Sequence, residues 1–121
     1  MNPAVLVGIG GALGAVARHA VYERVDDADA AIPHATLAVN VLGSLVLGLA
    51  TGLGASGVVG GDALLFVGTG ACGAFTTFST FAFETVDRAA RSTRAAAANA
   101  LGTLALALAG AALGFWLATL A

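Results

Sequence analysis

The chain has 121 residues, 59% hydrophobic and 10% charged, with a formal net charge of -2 and a mean hydropathy of +0.93. A soluble domain carries roughly 25% charged residues, so this composition excludes a water-soluble enzyme and points to a membrane protein. The 5 basic residues are all Arg and form no basic stripe, which argues against a nucleic-acid partner.

A membrane span takes about 20 predominantly apolar residues, and four such runs follow one another. The first covers residues 3–21 and is interrupted only by Arg18. Its leading residues, MNPAVLVGIGG, lack the positive start of a signal peptide, so the run is expected to stay as a span. Within it GIGGALGA has the glycine content of a dinucleotide-binding turn. No strand precedes it, however, and Leu13 stands where the last glycine belongs, so that reading is rejected. The charged segment ERVDDADAAIPH, residues 23–34, is the first loop.

The second run, residues 36–52, contains Asn40 and leads into a glycine-rich turn over 52–62. The third covers 63–83, and ETVDRAARSTR, residues 84–94, is the second charged loop. Glu84 lies four residues before Arg88 there, which allows some helix. The fourth run, 95–120, holds Asn99 near its start and is longer than a bilayer needs. Cys72 lies in the third run and reads as a small buried side chain.

Backbone polar groups must be satisfied inside hydrocarbon, so the four runs are expected to be helices of one all-α domain over residues 1–121. Short alternating strands of the barrel kind are absent from the pattern. Gly10 and Gly14, Gly48 and Gly52, and Gly110 and Gly114 are each four apart, which puts each pair on one helix face and permits close packing. With four spans, Arg18, Arg24, Arg88, Arg91 and Arg94 all fall at one end of the bundle. The positive-inside rule then assigns loops 22–35 and 84–94 to the cytoplasm and both termini to the outside.

Polar groups inside the spans carry the functional signal. Arg18 either snorkels to the interface or raises the potential at a vestibule and draws anions. Asn40 either bonds between helices or donates its amide to an anion stripped of water. Asn99, nearer its helix end, reads as a structural bond. The densest cluster is GACGAFTTFSTFAFE, residues 70–84. On a helix Phe75, Phe78, Phe81 and Glu84 form a slanting line, with Thr76 and Thr80 on another side and Thr77 and Ser79 nearby.

Hydroxyl donors beside the positive edges of aromatic rings suit a small, strongly hydrated anion, and a path without a fixed cation releases its ion. Gly70 and Gly73 followed by two β-branched Thr make the helix easy to open, and carbonyls freed by a break can coordinate a small cation. The alternative is a continuous helix whose hydroxyls bond back to the preceding turn.

Three segments, GGALGAVAR (10–18), TLAVNVLGSLVLG (36–48) and GTGACGAFTTFSTFAFE (68–84), resemble the signature segments of the Fluc/CrcB family of fluoride channels. The resemblance spans nearly the whole chain in length, order and number of spans, and TTFSTF is its most diagnostic part. It implies a passive, fluoride-selective channel that exports fluoride from the cytoplasm. It further implies an antiparallel dimer of four-helix subunits with two pores, a broken third helix, and a structural sodium ion at the interface. By position in the family pattern, the carbonyls of Gly73 and Thr76 are expected to hold the sodium. Phe78 and Phe81 are expected to contact fluoride with Asn40 beside them, Ser79 and Thr80 to form a hydroxyl track, Glu84 to end it, and Arg18 to lie near an entrance.

The arginine bias bears on assembly, since one sequence that inserts both ways needs a small bias and this chain has a large one. The expected partner is therefore an oppositely inserted homologue, with the chain itself as the alternative. Two other functions compete. A proton-coupled small multidrug exporter needs a carboxylate in its first helix, where this chain has none. A purely structural membrane protein would tolerate size-preserving changes at Phe78 and Asn40.

Overall fold

The computed structural model describes residues 1–25, 30 and 32–121. Asp26, Asp27 and Asp29 of the first charged loop lie outside the described residues. Helix α1 is Pro3–Arg24 and α2 is His34–Ala55. Helix α3 covers 61–75 in three parts: an α-helical turn Gly61–Leu64, a π-helical stretch Leu65–Cys72, and a last turn Gly73–Phe75. Helix α4 is Ser79–Ala89 and α5 is Thr93–Ala118.

Among the described residues four stretches are long and apolar enough to cross a membrane: Pro3–Arg24, His34–Ala55, Gly61–Ala89 and Thr93–Ala118. A helix of 22 residues rises about 33 Å, which matches a hydrocarbon core of about 30 Å. The protein is thus an all-α, multi-pass membrane protein whose third span is broken. The segment 84–94 is shorter as a loop than its charge suggests. Helix α4 runs through it to Ala89, and Arg91 just beyond its end pairs back to Asp87 within it at 3.4 Å.

Local chemistry sets the helix ends. The Asn2 side chain accepts the Ala4 N–H at 2.9 Å, with Pro3 in the first turn of α1. The Ser92 hydroxyl accepts the Ala95 N–H at 3.2 Å at the start of α5. After α2 the chain turns at Gly57, whose φ of 76° is open to glycine at no steric cost.

The bundle packs as two close pairs, α1 with α3 and α2 with α5. A side chain at Gly10 would strike the Phe66 carbonyl, and one at Gly14 the Ala71 carbonyl. Gly48 and Gly114 likewise lie against the carbonyls of Ala111 and Leu45. This is the close backbone approach that helices in lipid use in place of a hydrophobic drive. The interior is consequently small and partly polar. Val39, Asn99 and Thr36 are its largest fully buried side chains, while Ile9, Leu13, Leu101 and Leu108 point outward.

Candidate functional site

The third span is opened by side chains of other helices. Thr76 ends α3 with an extended backbone at ψ 163°, and both its N–H and its hydroxyl turn back to the Cys72 carbonyl, at 3.0 and 2.9 Å. Asn40 of α2 then takes both polar groups of the next residue: Thr77 N–H donates to Asn40 Oδ1 at 2.9 Å, and Asn40 Nδ2 donates to the Thr77 carbonyl at 3.0 Å. The Thr77 hydroxyl accepts the Thr80 N–H at 3.2 Å and so caps the restart in α4.

These bonds release two carbonyls. In a continuous helix Thr77 N–H would serve the Gly73 carbonyl and Thr80 N–H the Thr76 carbonyl; both donors are directed elsewhere. The Thr76 carbonyl instead accepts Arg18 Nη1 at 3.1 Å. Arg18 therefore reaches inward to the break with its side chain half-buried, not outward to the interface. The glycines and the threonines after them predict an opening over residues 73–76, and the break falls at the far edge of that stretch, where Thr76 turns extended. Gly70 is pressed against Val7 and Gly10 of α1, whereas Gly73 stays helical and open on its outer side.

Beside the break lies a cavity of about 360 Å³ lined by Asn40, Thr77, Phe78, Phe81 and Thr103, among others. The rings of Phe78 and Phe81 are 5.9 Å apart and inclined at 47°. Phe78 is 79% exposed in the single chain, so the cavity is open on that side. Thr77 donates its hydroxyl to Thr80 Oγ1 at 3.1 Å, with Ser79 Oγ at 3.5 Å. Thr80 and Glu84, four apart on α4, share a face. At that end Thr36 donates to Glu84 Oε1 at 3.0 Å.

The family model described as CrcB-like protein, Camphor Resistance (CrcB), matches residues 5–115. The chain belongs to the CrcB-like family. It is 46% identical over 111 residues to the Fluoride-specific ion channel FluC 2 of Haloarcula marismortui, covering 91% of this chain and 88% of that relative. It is 42% identical over 116 residues to the Fluoride-specific ion channel FluC 1 of Streptomyces avermitilis, covering 94% of each. A shorter match, 51% identical over 75 residues, links it to the Fluoride-specific ion channel FluC 1 of Halobacterium salinarum, with 62% of this chain and 58% of that relative covered. These relatives are named as channels, not as enzymes, in keeping with an expectation of no catalytic residues.

Within this family frame the structure brings Asn40, Phe78 and Phe81 to one cavity, sets Gly73, Thr76 and Arg18 at the break, and leaves Ser79, Thr80 and Glu84 along α4. Asn99 is 1% exposed and donates to Thr85 Oγ1 at 2.8 Å, joining α5 to α4.

Three residues escaped the sequence reading. The sequence pattern puts Thr77 only near the hydroxyls, yet it is the hinge of the break. Thr36 had no role. Thr103, one turn from Asn99 on the same face, is 4% exposed and lines the cavity, and its hydroxyl finds no partner among the described residues. Its spacing from Asn99 was the available signal.

Among the described residues no three His, Cys, Asp or Glu side chains converge on a metal site. The carbonyls of Gly73 and Thr76 have the oxygen chemistry that unwound membrane helices offer a small alkali cation, although that of Thr76 already accepts the Arg18 guanidinium and has one lone pair left to offer.

Proposed function

We propose that this chain is a subunit of a passive, fluoride-selective channel that exports fluoride from the cytoplasm. The single observation that carries the reading is the Asn40 clamp on Thr77, which opens the third span beside the Phe78 and Phe81 rings in a chain related to named fluoride channels. The bond to Thr77 uses one of the two amide N–H groups of Asn40, and the other is available to an anion. The edges of Phe78 and Phe81, the hydroxyls of Ser79 and Thr80, and the Thr103 hydroxyl would replace donors lost from water. Glu84 would end this track, and the Arg18 guanidinium would raise the local potential for an anion.

Two four-helix subunits would pack antiparallel with two pores, the exposed faces of Gly73 and Phe78 meeting the second chain. A structural sodium ion would lie between them on the carbonyls of Gly73 and Thr76 from each chain, supplying fixed positive charge at the interface. The arginine bias favours an oppositely inserted homologue as the second subunit.

Fluoride efflux from liposomes, followed with a fluoride electrode alongside chloride flux, tests the reading. Efflux that is selective for fluoride and lost in Phe81→Ile with assembly intact is expected. Chloride passing equally well would overturn selectivity, and a requirement for a proton gradient with an organic cation would favour the exporter. Full efflux in size-preserving variants of Phe78 would favour a structural role for that ring. Where the chain alone is silent, the same assay with a homologue co-reconstituted tests the heterodimer.

A further inference from the structure

At the arginine-bearing end of the bundle, three side chains from three helices stand in series. The Tyr22 hydroxyl of α1 lies 2.6 Å from Thr36 Oγ1 of α2, and Thr36 donates to Glu84 Oε1 of α4 at 3.0 Å. A threonine hydroxyl has one proton. With that proton committed to the carboxylate, the phenol must be the donor in the first bond. The series therefore runs one way, from Tyr22 through Thr36 to Glu84.

Its middle member is 1% exposed. In such a low-dielectric setting each donor polarises the next, so a hydroxyl that accepts a bond becomes a stronger donor. The separation of 2.6 Å is at the short end for O–H···O bonds. Of the other charged groups near Glu84, Arg88 reaches its backbone carbonyl through Nη1 at 3.4 Å.

We propose that Tyr22 is a positioning residue of the ion path. By donating to Thr36 it strengthens the bond from Thr36 to Glu84 and fixes the carboxylate at the end of the track formed by Ser79 and Thr80. The proposal rests on the fluoride-path reading of α4. It also gives α1 a task besides its packing on α3 and the reach of Arg18 to the break: its one tyrosine acts on a carboxylate of α4 through Thr36.

The test uses Tyr22→Phe, which keeps the ring and removes one oxygen. Efflux from liposomes holding the full assembly is expected to fall roughly three- to ten-fold, the rate equivalent of one hydrogen bond. In a Thr36→Val background the same change should have no further effect, because the two residues act in series. A purely packing role predicts no loss in Tyr22→Phe, or losses that multiply in the double variant; either result overturns the proposal.

A second readout does not depend on transport. The chain has 1 tyrosine, so the Raman Fermi doublet of the phenol reports this site alone. It should read as a donor in the wild type and in Thr36→Ser, and lose that character in Thr36→Val. Should Thr36→Val fail to assemble, the wild-type and Thr36→Ser spectra decide, and a phenol that is not a donor in either sinks the relay. An absence of fluoride flux in the wild-type assembly would instead end the path reading, and this proposal with it, while the spectrum still reports whether the relay exists.

Discussion

Asn40 satisfies both polar groups of one residue, Thr77, that no helix ladder serves. A carboxylate there can still accept the Thr77 N–H but meets the Thr77 carbonyl oxygen with no proton to offer. Asn40→Asp is therefore expected to close or misshape the break and to put a negative charge in the proposed anion path. Leaving such a charge uncompensated inside the bundle costs about 3 kcal/mol, so fluoride efflux should fall by roughly a hundred-fold. Asn40→Ala leaves the same two backbone groups unpaired without adding charge, and should lower resistance to denaturant by about 1–3 kcal/mol. Denaturant titration in detergent separates the two variants: if Asn40→Ala is as stable as the wild type, the clamp is not what holds the break.

At the scale of elements, glycine spacing converts into a graded prediction on one helix. A methyl at Gly14 collides with the Ala71 carbonyl, and the backbone of α1 or α3 must shift to accept it. A methyl at Gly8 meets nothing within 4 Å. Gly14→Ala should thus destabilise the fold by about 1–3 kcal/mol, while Gly8→Ala should be neutral or slightly stabilising through helix propensity. Equal effects in the same titration would show that α1 and α3 do not pack on this seam.

The four spans and their small-residue seams were legible because they depend on local composition and on a four-residue period. The position of the break was legible only in part. Gly70 and Gly73 are the softest residues by propensity, yet the chain parts at Thr76 to Phe78 because Asn40, 37 residues away in sequence, captures Thr77. The destination of Arg18 is equally non-local, its contact with Thr76 spanning 58 residues. The π-helical stretch Leu65–Cys72 has no signal in hydropathy at all, since an extra residue per turn changes the register of the ladder and not its polarity.

For the whole molecule, the arrangement of the ends turns charge into a statement about insertion. The amino group of Met1 pairs with Asp62 at 3.3 Å, so the N-terminus and the middle turn share one end. At the other end Arg88 Nη2 donates to the Ala30 carbonyl at 3.1 Å, which ties the two charged connections together. All five Arg therefore lie toward a single end, and a chain so biased should insert one way. With Cys72→Ala as background, a cysteine placed at Ala121 should react with an impermeant thiol reagent only from outside the cell. Moving charge should split the label: Arg91→Ala and Arg94→Ala combined with Val58→Arg and Gly61→Arg leave three Arg at one end against two at the other, and this small bias should let the reagent react from both sides. An even split between the two sides in the unshifted chain would mean that it inserts both ways and can pair with itself, which removes the reason to expect an oppositely biased homologue. A one-sided label sharpens the assembly question, because an antiparallel pair then requires a second sequence of opposite bias. Co-production of such a homologue should raise fluoride efflux well above that of either chain alone.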